Sequence, residues 1–237
     1  RDRAGSTSYL VCMDRSPARG PGFGPTGKAP FELEQIHDLA RGGLMPPDLV
    51  AGASGVRWHD LSARAGRNDK PAILITTIAS GVLTDPREVR VGLEDAWTTC
   101  EWPGRAADYE LWMMMFELAG TEEHYLRETE LRPRSELPET LTLYRAATGG
   151  HELGLSWTTS FERAHWFATR IGAIAGGDHR IFGVEAPRDW VLANFHETRG
   201  ESEFVLDTSP LTLDNLEEIL PEEWEYLLAG EGEQSQG

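Results

Sequence analysis

Hydrophobic and polar positions change rhythm twice along the 237-residue chain. Residues 1 to 30, with "RSPARGPGFGPTGKAP", show no periodicity and are rich in Gly, Pro and Arg. They read as a flexible lead-in. From residue 31 the spacing becomes helical. In "FELEQIHDLARGGL", Phe31, Leu33, Ile36 and Leu39 share a face and Gly42-Gly43 ends the helix. Residues 46 to 71 are irregular by pattern. "PAILITTIASG" fits either a buried strand or a core helix segment. "GLEDAWTTCEW" and "DYELWMMMFELAG" form a helical pair broken at Pro103-Gly104, with Trp97, Trp112, Met113 and Phe116 as core. "RETELRPRSELPE" reads as a polar linker. The mainly helical region therefore spans 31 to 138.

After residue 138 the period shortens to two. "TLTLYRAA" alternates as a half-buried strand does, with Leu141 and Leu143 inward. "GLSWTTS" is a short β-like piece. "SFERAHWFATR" is a helix with Ser160 at its N-cap, Glu162 in the first turn, and Ala164, Phe167 and Ala168 on one apolar face. "RIFGVEAP", "WVLANF" and "ESEFVLD" are further strands. "DNLEEILPEEWEYLLAG" reads as an acidic helical tail. A β-rich domain thus covers 139–210, its tail runs to 228, and 229–237 is expected to be disordered.

Composition narrows the class. Hydrophobic residues make up 40% and charged residues 26%, enough for a sizeable core. The formal net charge of −17 repels phosphate backbones, so broad nucleic-acid binding is disfavoured. Cys12 and Cys100 have no metal or redox spacing, and the seven His show no HExxH or paired ligand spacing. No metal is expected. No apolar run approaches a membrane span and no signal-peptide pattern opens the chain. A cytoplasmic protein without a disulfide framework is the expectation.

Three polar sites stand out in the β-rich half. Arg145 follows the alternating strand. Ser156, Thr158, Thr159 and Ser160 form a hydroxyl cluster. Glu201 and Glu203 flank Ser202 ahead of an apolar strand. Taken singly, each has an ordinary reading: a surface arginine, a helix cap, a solvated strand edge. Their joint order, "LYRA" at 143–146, "GLSWTTSFERA" at 154–164 and "RGESEFVLD" at 199–207, resembles the R-S-E class of ADP-ribosyltransferases. The resemblance covers residues 141 to 207. It implies an α+β fold, an ADP-ribosyltransferase-like split β-sandwich around an NAD cleft, preceded by the helical region.

The resemblance also implies chemistry. Breaking the nicotinamide–ribose bond of NAD builds positive charge on the ribose, which a fixed carboxylate stabilises. By resemblance Glu203 has this role, and Glu201 orients or deprotonates the acceptor. An extended segment would put both on one face and Ser202 on the other. Arg145 offers a planar fork for the pyrophosphate or a ribose hydroxyl. The hydroxyls hold Glu203 in its rotamer, either as Thr158-Thr159-Ser160 or in the register of Ser156-Trp157-Thr158. Trp157 or Phe167 would stack on nicotinamide. The expected activity is mono-ADP-ribosyl transfer to a macromolecular acceptor, protein arginine ahead of nucleic acid, in a toxin, effector or phage-conflict setting inferred from the family. NAD glycohydrolysis and a non-catalytic binding module on the same fold are the alternatives. A 2′-phosphotransferase is disfavoured because no His adjoins Arg145.

Overall fold

The computed structural model describes residues 55–101, 103–120, 123–175, 179–195 and 202–234. The lead-in, the helix expected from Phe31, and Glu201 lie outside the described residues. Contacts divide the chain into two compact units, one reaching to Met115 and the other running from Phe116.

The described part of the first unit is helical. Helix α1 (Trp58–Ser62) lies inside the stretch read as irregular; five residues are too few to show a period. Helix α2 (Lys70–Ala79) settles the ambiguity of "PAILITTIA" in favour of a helix. Pro71 occupies its first turn, where a missing N–H costs nothing. Helix α3 (Pro86–Thr99) starts at Asp85, whose carboxylate accepts from the Arg87 and Glu88 amides. Gly92 sits mid-helix because α1 and α2 come close. A Cβ there would meet Leu74 Cδ1 at 2.7 Å and the Trp58 ring at 3.0 Å. Trp58 Nε1 donates to Asp95 at 2.8 Å, so its indole is buried with its polar edge satisfied. A short helix α4 (Pro103–Ala106) fills the break before α5 (Tyr109–Ala119). Trp97 and Trp112 meet edge to face, centroids 4.9 Å apart. Met115 rather than Met113 takes the buried position; Met113 is half-buried.

The second unit holds one eight-stranded mixed sheet, in the order β2-β1-β6-β7-β4-β3-β5-β8. Its strands are β1 (His124–Arg127), β2 (Glu130–Pro133), β3 (Thr140–Ala147), β4 (Ser156–Thr158), β5 (Arg180–Pro187), β6 (Val191–Phe195), β7 (Glu203–Leu206) and β8 (Glu217–Ile219). The β1–β6 pair is parallel and the others are antiparallel. Two separate sheets were expected; here a continuous ladder order connects all eight strands. Its narrowest join is β3–β4, a single residue pair, Tyr144 with Thr158.

Two other expectations fail here. The polar stretch after Leu126 is a hairpin, not a linker. Glu128 and Thr129 adopt φ of 44° and 66°, the left-handed pair that a two-residue turn needs. The usual Asn-Gly signature is missing, so sequence pattern misses it. The sheet therefore begins upstream of the boundary placed near 138. The acidic tail is also not one helix. Its first half is strand β8, paired to β5, and α7 (Pro221–Gln234) follows, extending past the expected end at 228.

Two cores flank the sheet. Leu141, Leu143, Val184, Trp157 and Phe204 pack on one face. On the other, helix α6 (Phe161–Ala175) buries Phe161, Ala164 and Ala168 against Ile181 and Ile219, with Tyr144 and α7 residues Trp224 and Leu227 at its border. Among the described residues no helix is long and apolar enough to cross a membrane.

Candidate functional site

The broken β3–β4 ladder creates the site. Beyond the Tyr144–Thr158 pair the two strands part, and a side chain replaces the missing main-chain donor. Arg145 is 4% exposed, and its Nη1 donates to the Ser156 carbonyl at 2.7 Å. Its Nε and Nη2 reach the His151 carbonyl, each at 3.3 Å. A buried carbonyl needs a donor, and a guanidinium can serve two at once. Gly154 makes room for it: a Cβ there would lie 2.1 Å from Arg145 Nη2.

Residues 148–155 are held by further contacts. Trp157 Nε1 donates to the Gly154 carbonyl at 2.7 Å, and the Thr208 hydroxyl donates to the Leu153 carbonyl at 3.0 Å. Glu152, buried, pairs with Arg180 at 2.8 Å. The backbone that presents Ser156 is thus fixed from several sides.

Ser156 links the two charged residues. Its carbonyl accepts from Arg145, and its hydroxyl donates to Glu203 Oε1 at 2.9 Å. Glu203 opens β7, is 1% exposed, and pairs with Thr158 on one side and Phe195 on the other. Alternation places the Glu203, Ser156 and Thr158 side chains on one face of the sheet. Arg145, next to Tyr144, starts from the other face and reaches the site through the Ser156 backbone.

The sequence-predicted residues therefore divide. Arg145, Ser156 and Glu203 come together. Of the hydroxyls in the two registers, that of Ser156 donates to Glu203. Thr158 accepts from the Ser160 amide at 3.1 Å, and Ser160 caps α6 by accepting from the Arg163 amide at 3.2 Å. Thr159 is exposed. Those hydroxyls act on the turn and the cap, as their density before a helix also allowed.

Further expectations about the site need revision. Trp157 is 2% exposed and sits in the core beside Phe204, so its ring presents no face for stacking. Phe167 is also buried, its ring nearly perpendicular to that of Trp166. The Arg145 fork is occupied by main-chain carbonyls, so it works here as a brace for Ser156. The argument that carries Glu201 onto the face of Glu203 also stops at Ser202, whose φ of 50° is left-handed rather than extended. Sequence reading missed His151, whose contribution is a main-chain oxygen that no residue type signals. Gly154 was visible as the glycine two before Ser156; its reason, room for Arg145, was not.

Two cavities open elsewhere in this unit, of about 670 and 490 Å³. Neither is lined by Arg145, Ser156 or Glu203. Among the described residues no cluster of His, Cys, Asp or Glu has the arrangement to hold a metal ion. Comparison with protein-family models, with curated proteins and with solved structures gives no match.

Proposed function

We propose that the chain is a mono-ADP-ribosyltransferase that uses NAD as substrate, with Glu203 as its central carboxylate. The observation that carries this reading is the Ser156 hydroxyl on Glu203 Oε1 at 2.9 Å, with Ser156 itself braced by Arg145. The motif order alone is compatible with three unrelated surface features. A buried carboxylate oriented by a hydroxyl, one strand away from the narrowest join of the sheet, suits charge stabilisation in a transition state.

In the proposed reaction the bond between ribose C1′ and the nicotinamide nitrogen breaks. The bonding electron pair leaves with nicotinamide. Glu203 stabilises the positive charge left on the ribose, and Ser156 holds its rotamer. The acceptor nucleophile then attacks C1′ and gives its proton to a base, the role proposed for Glu201. Protein arginine is the favoured acceptor, since a surface of net charge −17 attracts cations and repels nucleic acid.

The test is to incubate the chain with NAD labelled in the adenylate part. Free nicotinamide, label in protein and label in nucleic acid are followed together. Label in protein with stoichiometric nicotinamide supports transfer. Nicotinamide with free ADP-ribose and no labelled macromolecule replaces transfer by glycohydrolysis. Binding of NAD without either product leaves a binding module, and no binding at all overturns the reading.

A further inference from the structure

The larger cavity lies between strands β3, β5 and β8 and the start of α7. Buried apolar residues from both cores line it, Val184 and Leu211 from one and Ile219 from the other. Aromatic side chains stand around it. Tyr144 and Trp190 are half-buried, and Tyr226 is 81% exposed. Its rim carries Glu185, Glu217, Glu222 and Glu223, and among the described residues no Lys, Arg or His lines it.

The carboxylates are not equivalent. Glu223 accepts from the Leu220 amide and belongs to the cap of α7. Glu185 accepts from the Thr142 hydroxyl at 2.6 Å. Glu217 and Glu222 have no hydrogen-bond or ion-pair partner among the described residues, although Arg180 pairs with the adjacent Glu218. Acids in the first turn of a helix are ordinary. An apolar and aromatic lining whose charged side chains, among the described residues, are all carboxylates is not.

We propose that this groove binds a basic peptide segment of a partner protein, with arginine or lysine side chains lying over the aromatic rings and their cationic heads on Glu217 and Glu222. Charge complementarity selects the sign. The aromatic rings favour a guanidinium or ammonium carried on an alkyl stem, which packs on the apolar lining. The volume of about 670 Å³ suits a few residues of extended chain. Strand register adds a geometric point. Glu217, Gly183, Tyr144, Thr158 and Glu203 are successive partners across β8, β5, β3, β4 and β7. Groove and Glu203 are therefore four strand spacings apart, roughly 19 Å along the sheet. The proposal does not depend on NAD chemistry, and its test omits NAD.

The experiment uses the full chain and a fluorescein-labelled, end-capped eight-residue peptide of alternating Arg and Ala, read by anisotropy. Probes for comparison are the Lys-Ala counterpart, the Glu-Ala counterpart and spermine as competitor. Saturable binding of both basic peptides, none of the acidic one, and weakening with salt are expected. The double variant Glu217→Gln/Glu222→Gln should lose about five- to tenfold in affinity, the scale of two exposed ion pairs. Tyr226→Ala should also weaken binding. Glu136→Gln/Glu139→Gln, which removes the same charge from exposed positions outside the groove, should leave affinity unchanged. Equal losses in both double variants would overturn the proposal in favour of general surface charge. Spermine competing as tightly as the peptide binds would overturn it in favour of a small-cation site.

Discussion

Gly154 and Arg145 are coupled in a way a double-mutant cycle can measure. A methyl on residue 154 would sit 2.1 Å from Arg145 Nη2 and 2.4 Å from Cζ, well inside van der Waals contact. The guanidinium cannot retreat freely, since it is buried and bonded to the Ser156 and His151 carbonyls. Gly154→Ala must therefore push it off at least one carbonyl. Overpacking costs about 1–3 kcal/mol and a lost charged hydrogen bond about 1.5–3 kcal/mol, so a loss of roughly 2–5 kcal/mol is expected. Arg145→Ala alone also destabilises, by leaving those carbonyls without their donor. In the Arg145→Ala background, however, the new methyl enters vacated space and should cost almost nothing. Urea unfolding of the four proteins gives the cycle. Hydrogen exchange of peptides spanning residues 140–160 ties the transition to this unit. A coupling of about 1–3 kcal/mol is expected. Additive losses would refute the view that Gly154 exists to seat Arg145.

Other expectations follow from the same contacts. Ser156→Ala removes the hydroxyl from a buried carboxylate and should cost about 1.5–3 kcal/mol by urea unfolding, and slow nicotinamide release, whereas Thr159→Ala should change neither. Trp157→Ala should cost about 3–5 kcal/mol in the same assay, as a buried core aromatic does, while Trp157→Phe should retain NAD binding because the ring does not face ligand. Gly92→Ala in the first unit should cost about 1–3 kcal/mol through its clash with Leu74, and should leave any NAD-dependent activity intact. Glu201→Gln should reduce transfer to acceptor while slow release of nicotinamide to water persists, measured as the ratio of labelled protein to free nicotinamide.

The β-rich half was legible where two kinds of signal agreed. In "TLTLYRAA" alternation gave both the strand and the inward residues Leu141 and Leu143, and the burial of Arg145 continues that alternation. Helix α6 was marked by its cap and its apolar stripe at once. Where one signal stood alone it misled. The hairpin at Glu128-Thr129 has a left-handed turn without glycine, so nothing local announces it. Strand β8 is three residues long and carries two glutamates, and a short acidic run reads as helix until β5 pairs with it. At the site, motif order singled out Arg145, the hydroxyls between Ser156 and Ser160, and Glu201 with Glu203, and left the register among the hydroxyls open. What each touches depended on main-chain carbonyls and on the gap between β3 and β4, and those exist only in the folded sheet. Trp157 was misread for a related reason: an indole beside a polar cluster looks like a ligand platform, yet alternation sends it to the opposite face from Ser156.

The central claim is that Glu203 stabilises positive charge on the ribose of NAD. Its most direct test is nicotinamide release from NAD by the unsubstituted chain and by Glu203→Gln, with folding of the variant checked by urea unfolding. Glutamine keeps the shape and can still meet the Ser156 hydroxyl, but it carries no charge. The account expects measurable release from the unsubstituted chain and a fall of about 100-fold or more in the variant, the scale of losing one preorganised electrostatic group. Equal release from a folded Glu203→Gln protein, or none from the unsubstituted chain under any acceptor condition, would contradict it.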